Sequence, residues 1–294
     1  MAQPPAKSAA TSRRNASAAG GDDVPSGGRS EGTGPEENVG SAGAGAAGFR
    51  VESGAGRDVT GGVKVALISG TSIVKSTLFS AWEVRTVETK HGVVTVRMRG
   101  EHAVLNRHGS AVPVPAHAIN HRANLAALAE LGFADVVALN SVGSLRPELT
   151  PGTFVSCSDY VGLAVGPLTL GGAEPVAGAP GVANNLIPRL VAELAPEFMV
   201  RTGKIYVQTR GPRFETKAEI AIIRNWGDVV GMTLAHEADI ATELGLRYNS
   251  VALVDNFANG LVGTDIDYAR FKELVADNQE RVDRFVARVF EILG

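Results

Sequence analysis

The sequence predicts an α/β fold in which a sheet is covered by helices on both faces. Short apolar runs rich in Val, Ile and Leu recur along the chain, and segments of helical spacing stand between them. No linker interrupts this alternation from Val63 to Gly294, so one domain is expected over 63–294. Met1 to Gly62 differs: it is rich in Ala, Gly, Ser and Pro, has no Leu or Ile, and carries one aromatic residue, Phe49. Such a stretch buries too little apolar surface to offset its ordering entropy, so 1–62 is expected to be a disordered leader or an over-long start.

The elements follow in order. Val63 to Ile68 reads as a buried strand entering the polar turn Ser69-Gly70-Thr71-Ser72. Gly92 to Met98 and His102 to Leu105 read as two further strands. Ile119, Leu125, Leu128 and Leu131 have helical spacing, and Gly132 stops that helix. Asp135 to Leu139 is another buried strand, opening into Asn140 to Ser144. The second half repeats the pattern: a strand at Ile205 to Gln208, a helix at Lys217 to Asn225, a short strand at Val229-Val230. A helix at Ala235 to Leu244 and a strand at Ser250 to Val254 follow. Tyr268 to Ile292 reads as one long amphipathic helix with Phe271, Leu274, Val275, Val282, Phe285, Val286 and Val289 on its apolar face.

Composition narrows the function. The 294-residue chain, 44% hydrophobic and 20% charged, has the balance of a globular protein. A net charge of −3 argues against nucleic acid as a partner, so any anion must be gripped locally. No stretch is long and apolar enough to cross a bilayer, and the N-terminus lacks the basic-then-apolar order of a secretion signal. No membrane association and a cytoplasmic location are expected. The single cysteine, Cys157, excludes an intrachain disulfide and reads as packing beside a strand rather than as a nucleophile. The six histidines lack a ligand spacing such as His-Glu-x-x-His, so no metal is expected. His117 and His121, four residues apart, read as structural or subunit-contact groups.

In open α/β sheets, ligands gather at the carboxyl ends of the strands. Four polar clusters fall at such ends: 69–72, 106–109, 140–144 and 255–260. Gly70-Thr71-Ser72 offers backbone N–H groups and hydroxyls to an anion. It is not a Walker loop, because no Gly-Lys-Ser/Thr follows. Arg107 and His108 add a planar, always-charged fork and a second nitrogen donor, a set suited to a tetrahedral oxyanion. Between Thr209 and Thr216 a strand ends in a Gly-Pro turn. There Phe214 can wall a flat ring and Glu215 can accept from a ring N–H, with a helix cap as the plainer role for Glu215. Gly231-Met232-Thr233 stands between a strand and a helix, where Thr233 is either a ligand donor or an N-cap.

Together, Arg107-His108-Gly109 and the stretches 119–124, 140–145, 211–216 and 231–233 resemble, in this order, the purine nucleoside phosphorylase and methylthioadenosine phosphorylase family. The resemblance covers 63–294. It implies a single α/β domain around a mixed, partly barrel-like central sheet, assembled as a homotrimer or a dimer of trimers. It implies inorganic phosphate as co-substrate and no other cofactor. Phosphate would sit among Thr71, Arg107, His108, the turn at Ser141 and Thr233. Met232 would lie along the sugar, and Phe214 and Glu215 would face the base. The reaction then needs a hydrogen-bond or proton donor near N7 of the leaving purine. Without a gap Asn256 falls on that position, as in enzymes acting on 6-oxopurines; a one-residue shift puts Asp255 there and favours adenine. Glu215 also points to a 6-oxopurine, because a carboxylate pairs with the N1–H of hypoxanthine or guanine. The expected activity is phosphorolysis of methylthioinosine, inosine or guanosine. The alternatives are a methylthioadenosine phosphorylase, a nucleosidase that uses water, and a purine-binding protein without catalysis.

Overall fold

The computed structural model describes residues 63–294 apart from 74, 75, 111, 173–177, 196, 264 and 267. The leader expected over 1–62 lies outside the described residues. Nine strands and six helices occur among those described. The first apolar run forms β1 (Val65–Ser69), which pairs in parallel with β4 (His102–Asn106) on one side and β5 (Asp135–Ser144) on the other. β2 (Glu83–Thr89) and β3 (Gly92–Arg99) form an antiparallel hairpin that widens the sheet beyond β4. Past β5 stand β8 (Val229–Gly231), β7 (Val200–Gln208), β6 (Phe154–Val161) and β9 (Arg247–Phe257). β9 pairs back onto β5, so these five strands close into a barrel that the open wing joins at β5. Parallel and antiparallel pairs are mixed, as the resemblance implied.

Alternation along the central strands feeds two cores. Ala66, Ile68, Val136 and Ala138 pack with Leu125 and Leu128 of α1 (His121–Glu130) and Ala238 and Ile240 of α4 (Leu234–Glu243). Leu67, Val137 and Leu139 pack with Leu190 and Leu194 of α2 (Ile187–Leu194) and with Val282, Phe285, Val286 and Val289 of α6 (Gln279–Leu293). Helices therefore cover both faces, and each fully buried side chain of this size contributes about 1.5–3 kcal/mol. Phe154 on β6 stacks on Phe285 with centroids 4.1 Å apart, which anchors α6 to the barrel. α1 ends as its sequence indicates: Gly132 has φ +75°, and Phe133 N–H reaches back to Leu128 O at 3.1 Å.

The structure departs from the sequence reading in several places, among them β6, which the sequence reading did not include. The long helix expected over 268–292 is two helices, α5 (Tyr268–Asp277) and α6, separated at Asn278. The break lets the apolar stripe of α5 turn toward the cavity described below while α6 packs on the sheet. The clusters 140–144 and 255–257 are strand rather than turn, because β5 and β9 run on to close the barrel. β2 is an edge strand with a mostly exposed polar sequence, and pairing with β3 alone makes it a strand. α2 follows the Ile187, Leu190, Leu194 spacing, with Pro188 in its first turn.

Candidate active site

A cavity of about 620 Å³ opens beside the barrel, at the carboxyl ends of β1, β4 and β7, along the ends of β5, β8 and β9, and against α5. Thr71, Arg107, His108, Ser141, Met232 and Thr233 line it, and so do Phe214, Glu215 and Asn256. Residues 185 positions apart in sequence, Thr71 and Asn256, thus share one wall system. Asp255 does not line the cavity; it is buried at 1% exposure behind Ser141.

Arg107 emerges from β4 into the protein rather than into water, at 3% exposure. Its Nε and Nη2 donate to the two carboxylate oxygens of Glu237 on α4, at 2.6 and 3.2 Å. Its Nη1 donates to Leu139 O at 2.9 Å and its Nη2 also to Ile68 O at 3.2 Å. The free fork expected from the sequence is therefore tied back, with one Nη1 hydrogen left over. Burial works against the Arg107 charge, but Glu237 more than offsets it, and the guanidinium stays protonated. Glu237, at 0% exposure, also accepts from the Tyr248 hydroxyl at 2.6 Å.

His108 is fixed by its Nδ1, which donates to Val114 O at 2.7 Å. Burial lowers its pKa, so the neutral ring presents Nε2 as an acceptor. Gly70 lets that ring come close: a Cβ on Gly70 would lie 2.8 Å from His108 Nε2 and 3.0 Å from Arg107 Nη1. On the facing side Thr233 heads α4 without capping it. Gln208 Oε1 of β7 caps the helix instead, accepting from Ala235 N–H at 2.6 Å and His236 N–H at 3.4 Å. Asn140 Nδ2 donates to Thr233 Oγ1 at 2.9 Å, which leaves the hydroxyl its own hydrogen for another acceptor.

The end of the cavity at Phe214 and Glu215 is built similarly. α3 (Lys217–Ile223) is capped by Thr216 and Glu219 in a reciprocal capping box, so Glu215 is spared that duty. Glu215, at 8% exposure, accepts from the Thr209 hydroxyl at 2.5 Å. Phe214 stands edge-on to Phe271 of α5, with centroids 5.5 Å apart. Asn256 reaches the cavity through a bulge. Val142 pairs with Val254 but Gly143 pairs with Asn256, so Asp255 is an extra residue in β9. Asn256 Nδ2 donates to Phe257 O at 2.7 Å, leaving Oδ1 and one hydrogen for a ligand. Asp255 accepts from the Ser141 hydroxyl, and burial pushes its pKa up to about 6 against that bond.

Sequence reasoning missed Glu237, whose signal was a carboxylate four residues after Thr233 in the first turns of a helix. It also missed the wall made by Val114, Pro115, Phe271 and Val275, because the α5 residues read as core. His117 and His121 do not share a helix: His117 lies in a short 3-10 turn and His121 opens α1. His121 is neutral, since burial lowers its pKa to about 4, and its Nδ1 is 3.7 Å from Glu237, beyond hydrogen-bond range. Among the described residues no group of three or more His, Cys, Asp or Glu could hold a metal ion, and no helix is long and apolar enough to cross a membrane.

A mixed barrel sheet with Arg107, His108, Thr233, Phe214 and Glu215 around one cavity fits the class of α/β transferases of the nucleoside phosphorylase type. The chain belongs to the phosphorylase superfamily, whose family model matches residues 64–291. It is 37% identical over 237 residues to a probable 6-oxopurine nucleoside phosphorylase of Archaeoglobus fulgidus, covering 77% of this chain and 97% of that protein. It is 34% identical to a probable S-methyl-5′-thioinosine phosphorylase of Methanocaldococcus jannaschii, covering 76% and 90% of the two chains. Among solved structures it is similar to a methylthioadenosine phosphorylase from Schistosoma mansoni in complex with adenine. That likeness has a TM-score of 0.67 and 26% identity, over 77% of this chain and 90% of that one.

Proposed function

We propose that this protein cleaves 6-oxopurine nucleosides with inorganic phosphate, releasing the free base and a sugar 1-phosphate. The observation that carries the reading is Glu215 and Asn256 sharing one cavity with the cradle of Thr71, His108, Ser141 and Thr233. A phosphate held by that cradle lies under the anomeric carbon of a nucleoside whose base reaches Phe214 and Glu215. One of its oxygens bonds to C1′ as the C1′–N9 bond breaks and the bonding pair passes to the purine. Holding both reactants in line makes the attack effectively unimolecular. Glu215 accepts from N1–H and Asn256 donates to N7, where negative charge grows, and the departing base takes its proton from water.

The relatives support both a plain and a methylthio sugar in this family, and the cavity wall favours the second. With phosphate and base so placed, Phe271, Val275 and Ala276, with Val114 and Pro115, give the cavity an apolar wall for the 5′ carbon, and Lys272 and Gln279 line it as well. That wall suits an apolar 5′ substituent. Base release from inosine, guanosine, methylthioinosine and methylthioadenosine, each with and without phosphate, tests the reading. Phosphate-dependent release of hypoxanthine or guanine, fastest from methylthioinosine, is the expected result. Release without phosphate, or of adenine alone, refutes it.

A further inference from the structure

Asp255 is an ionisable side chain next to the cradle that the proposed reaction leaves unused. It is the extra residue of the β9 bulge, 1% exposed, and its side chain meets the Ser141 hydroxyl. Ser141 in turn lines the cavity. The direction of that hydrogen bond decides what Ser141 offers a ligand. While Asp255 is a carboxylate it takes the hydroxyl hydrogen, and Ser141 shows the cavity only lone pairs, which repel an oxyanion. A protonated Asp255 donates to Ser141 Oγ, and the hydroxyl hydrogen is free to turn to the anion.

We propose that Asp255 is a positioning residue for the anion cradle: it takes up a proton as the oxyanion binds, and so turns the Ser141 hydroxyl into a donor. The inference rests on the cradle being the phosphate site of the proposed reaction. No bond other than hydrogen bonds changes, and the proton comes from water. Burial already holds the carboxyl near the pH at which this exchange is useful, since its pKa is raised to about 6. Of the elements packed on this end of β9, β5 presents Ser141 and Gly143, neither charged. The start of β6 and the loop before it present Phe154, Val155, Gly152 and Thr153. The charged side chains described on α5 are Lys272, Glu273 and Asp277, of which Lys272 lines the cavity. Across the cradle stand His108 and the Arg107–Glu237 pair. Only burial and the Ser141 bond move the Asp255 pKa.

Sulfate is the probe, because it mimics the oxyanion and does not titrate near neutrality. Its affinity for the full chain is measured by calorimetry from pH 5.5 to 7.5, in two buffers of different ionisation enthalpy. The expected result is proton uptake on binding at pH 7 and affinity that weakens by up to about tenfold per pH unit above 6. Asp255→Asn carries an amide that donates permanently to Ser141. It should bind sulfate at pH 7.5 more tightly than the parent does at that pH, with less proton uptake. His108 titrates below the usual imidazole range in both proteins, so their difference reports Asp255. Ser141→Ala, with Asp255 kept, should lose the part of the uptake that Asp255→Asn loses and bind more weakly throughout. An Asp255→Asn protein that keeps the parental pH course, or binds less tightly at pH 7.5, overturns the inference alone. No sulfate or phosphate binding by any of the three proteins overturns the cradle as well.

Discussion

Replacing Glu237 with alanine should destabilise the protein strongly, and the structure sets the scale. Arg107 and Glu237 are 3% and 0% exposed, so salt and water screen the pair little. The carboxylate takes three hydrogen bonds, from Arg107 Nε at 2.6 Å, Arg107 Nη2 at 3.2 Å and Tyr248 OH at 2.6 Å. Without it the guanidinium keeps two backbone carbonyls, Leu139 O and Ile68 O, but has no countercharge. Breaking one side of a buried ion pair costs about 3–5 kcal/mol. The orphaned Tyr248 hydroxyl adds about 1 kcal/mol. For a domain of this size the expected fall in Tm is roughly 10–20 °C. Urea unfolding should show a lower midpoint with an unchanged m-value. Replacing both partners with methionine removes charge and countercharge together and should recover most of the stability, although the cradle is lost. Phosphate should also raise the Tm of Glu237→Ala more than that of the parent, because the anion then supplies the missing charge. A Glu237→Ala protein within about 1 kcal/mol of the parent, or a double variant no more stable than the single, refutes the reasoning.

Glu215→Gln should lower kcat/KM for inosine or methylthioinosine by about 10- to 100-fold, the worth of one hydrogen bond to a charged group, while adenine nucleosides change less. Equal losses on both bases in steady-state assays would contradict the base-reading role. Gly70→Ala places a methyl 2.8 Å from His108 Nε2. The phosphate KM should rise about tenfold or more, with the nucleoside KM nearly unchanged; the opposite pattern would move the anion elsewhere. The Cys157 thiol is 0% exposed and burial pushes its pKa up to about 12, so the native protein should resist thiol labelling at pH 8 until unfolded. Labelling within minutes would contradict the packing. Asp255 should set a pH dependence of stability. Its folded pKa of about 6 lies above the ordinary value of 3.8, so its contribution is complete below about pH 4 and lost as pH rises through 6. Asp255→Asn should therefore overtake the parent in stability above pH 6, and parallel pH–Tm curves would refute this.

The sequence carried the sheet because its strands are buried on both faces and read as apolar runs. β1 and the first half of β5 were legible for that reason. β2 was not, since an edge hairpin strand owes its form to its partner and not to a hydrophobic face. The α5–α6 break was also hidden. Both helices are amphipathic, and the pattern cannot say that one stripe faces a cavity and the other a core. At the site, residue types pointed to the side chains that share the cavity, but not to their wiring. Arg107 looked like a free fork because nothing in 106–109 points to Glu237, 130 residues away. The register question at 255–256 was undecidable from spacing, because a bulge adds a residue without any change in composition. The pairing of Gly143 with Asn256 brings Asn256 to the cavity and leaves Asp255 behind Ser141.

On the proposed reading, that wiring lets a chain of net charge −3 hold a phosphate. The cradle is close to neutral before the ligand arrives: Glu237 cancels Arg107, and burial keeps His108 uncharged. A bare arginine would bind the sugar 1-phosphate product as firmly as the phosphate substrate, and such uniform binding does nothing for turnover. With the charge compensated, affinity must come from directed hydrogen bonds, which depend on where the oxygens lie. The remaining Arg107 Nη1 hydrogen and the Thr233 hydroxyl are held by backbone carbonyls, Asn140 and the barrel wall, not by flexible loops. A cradle built where the open wing meets strands that close on themselves can hold these donors to within a few tenths of an ångström. The sheet thus gives the site its rigidity, and the β9 bulge makes a local exception, bringing Asn256 to the cavity and leaving the Asp255 carboxyl buried behind Ser141.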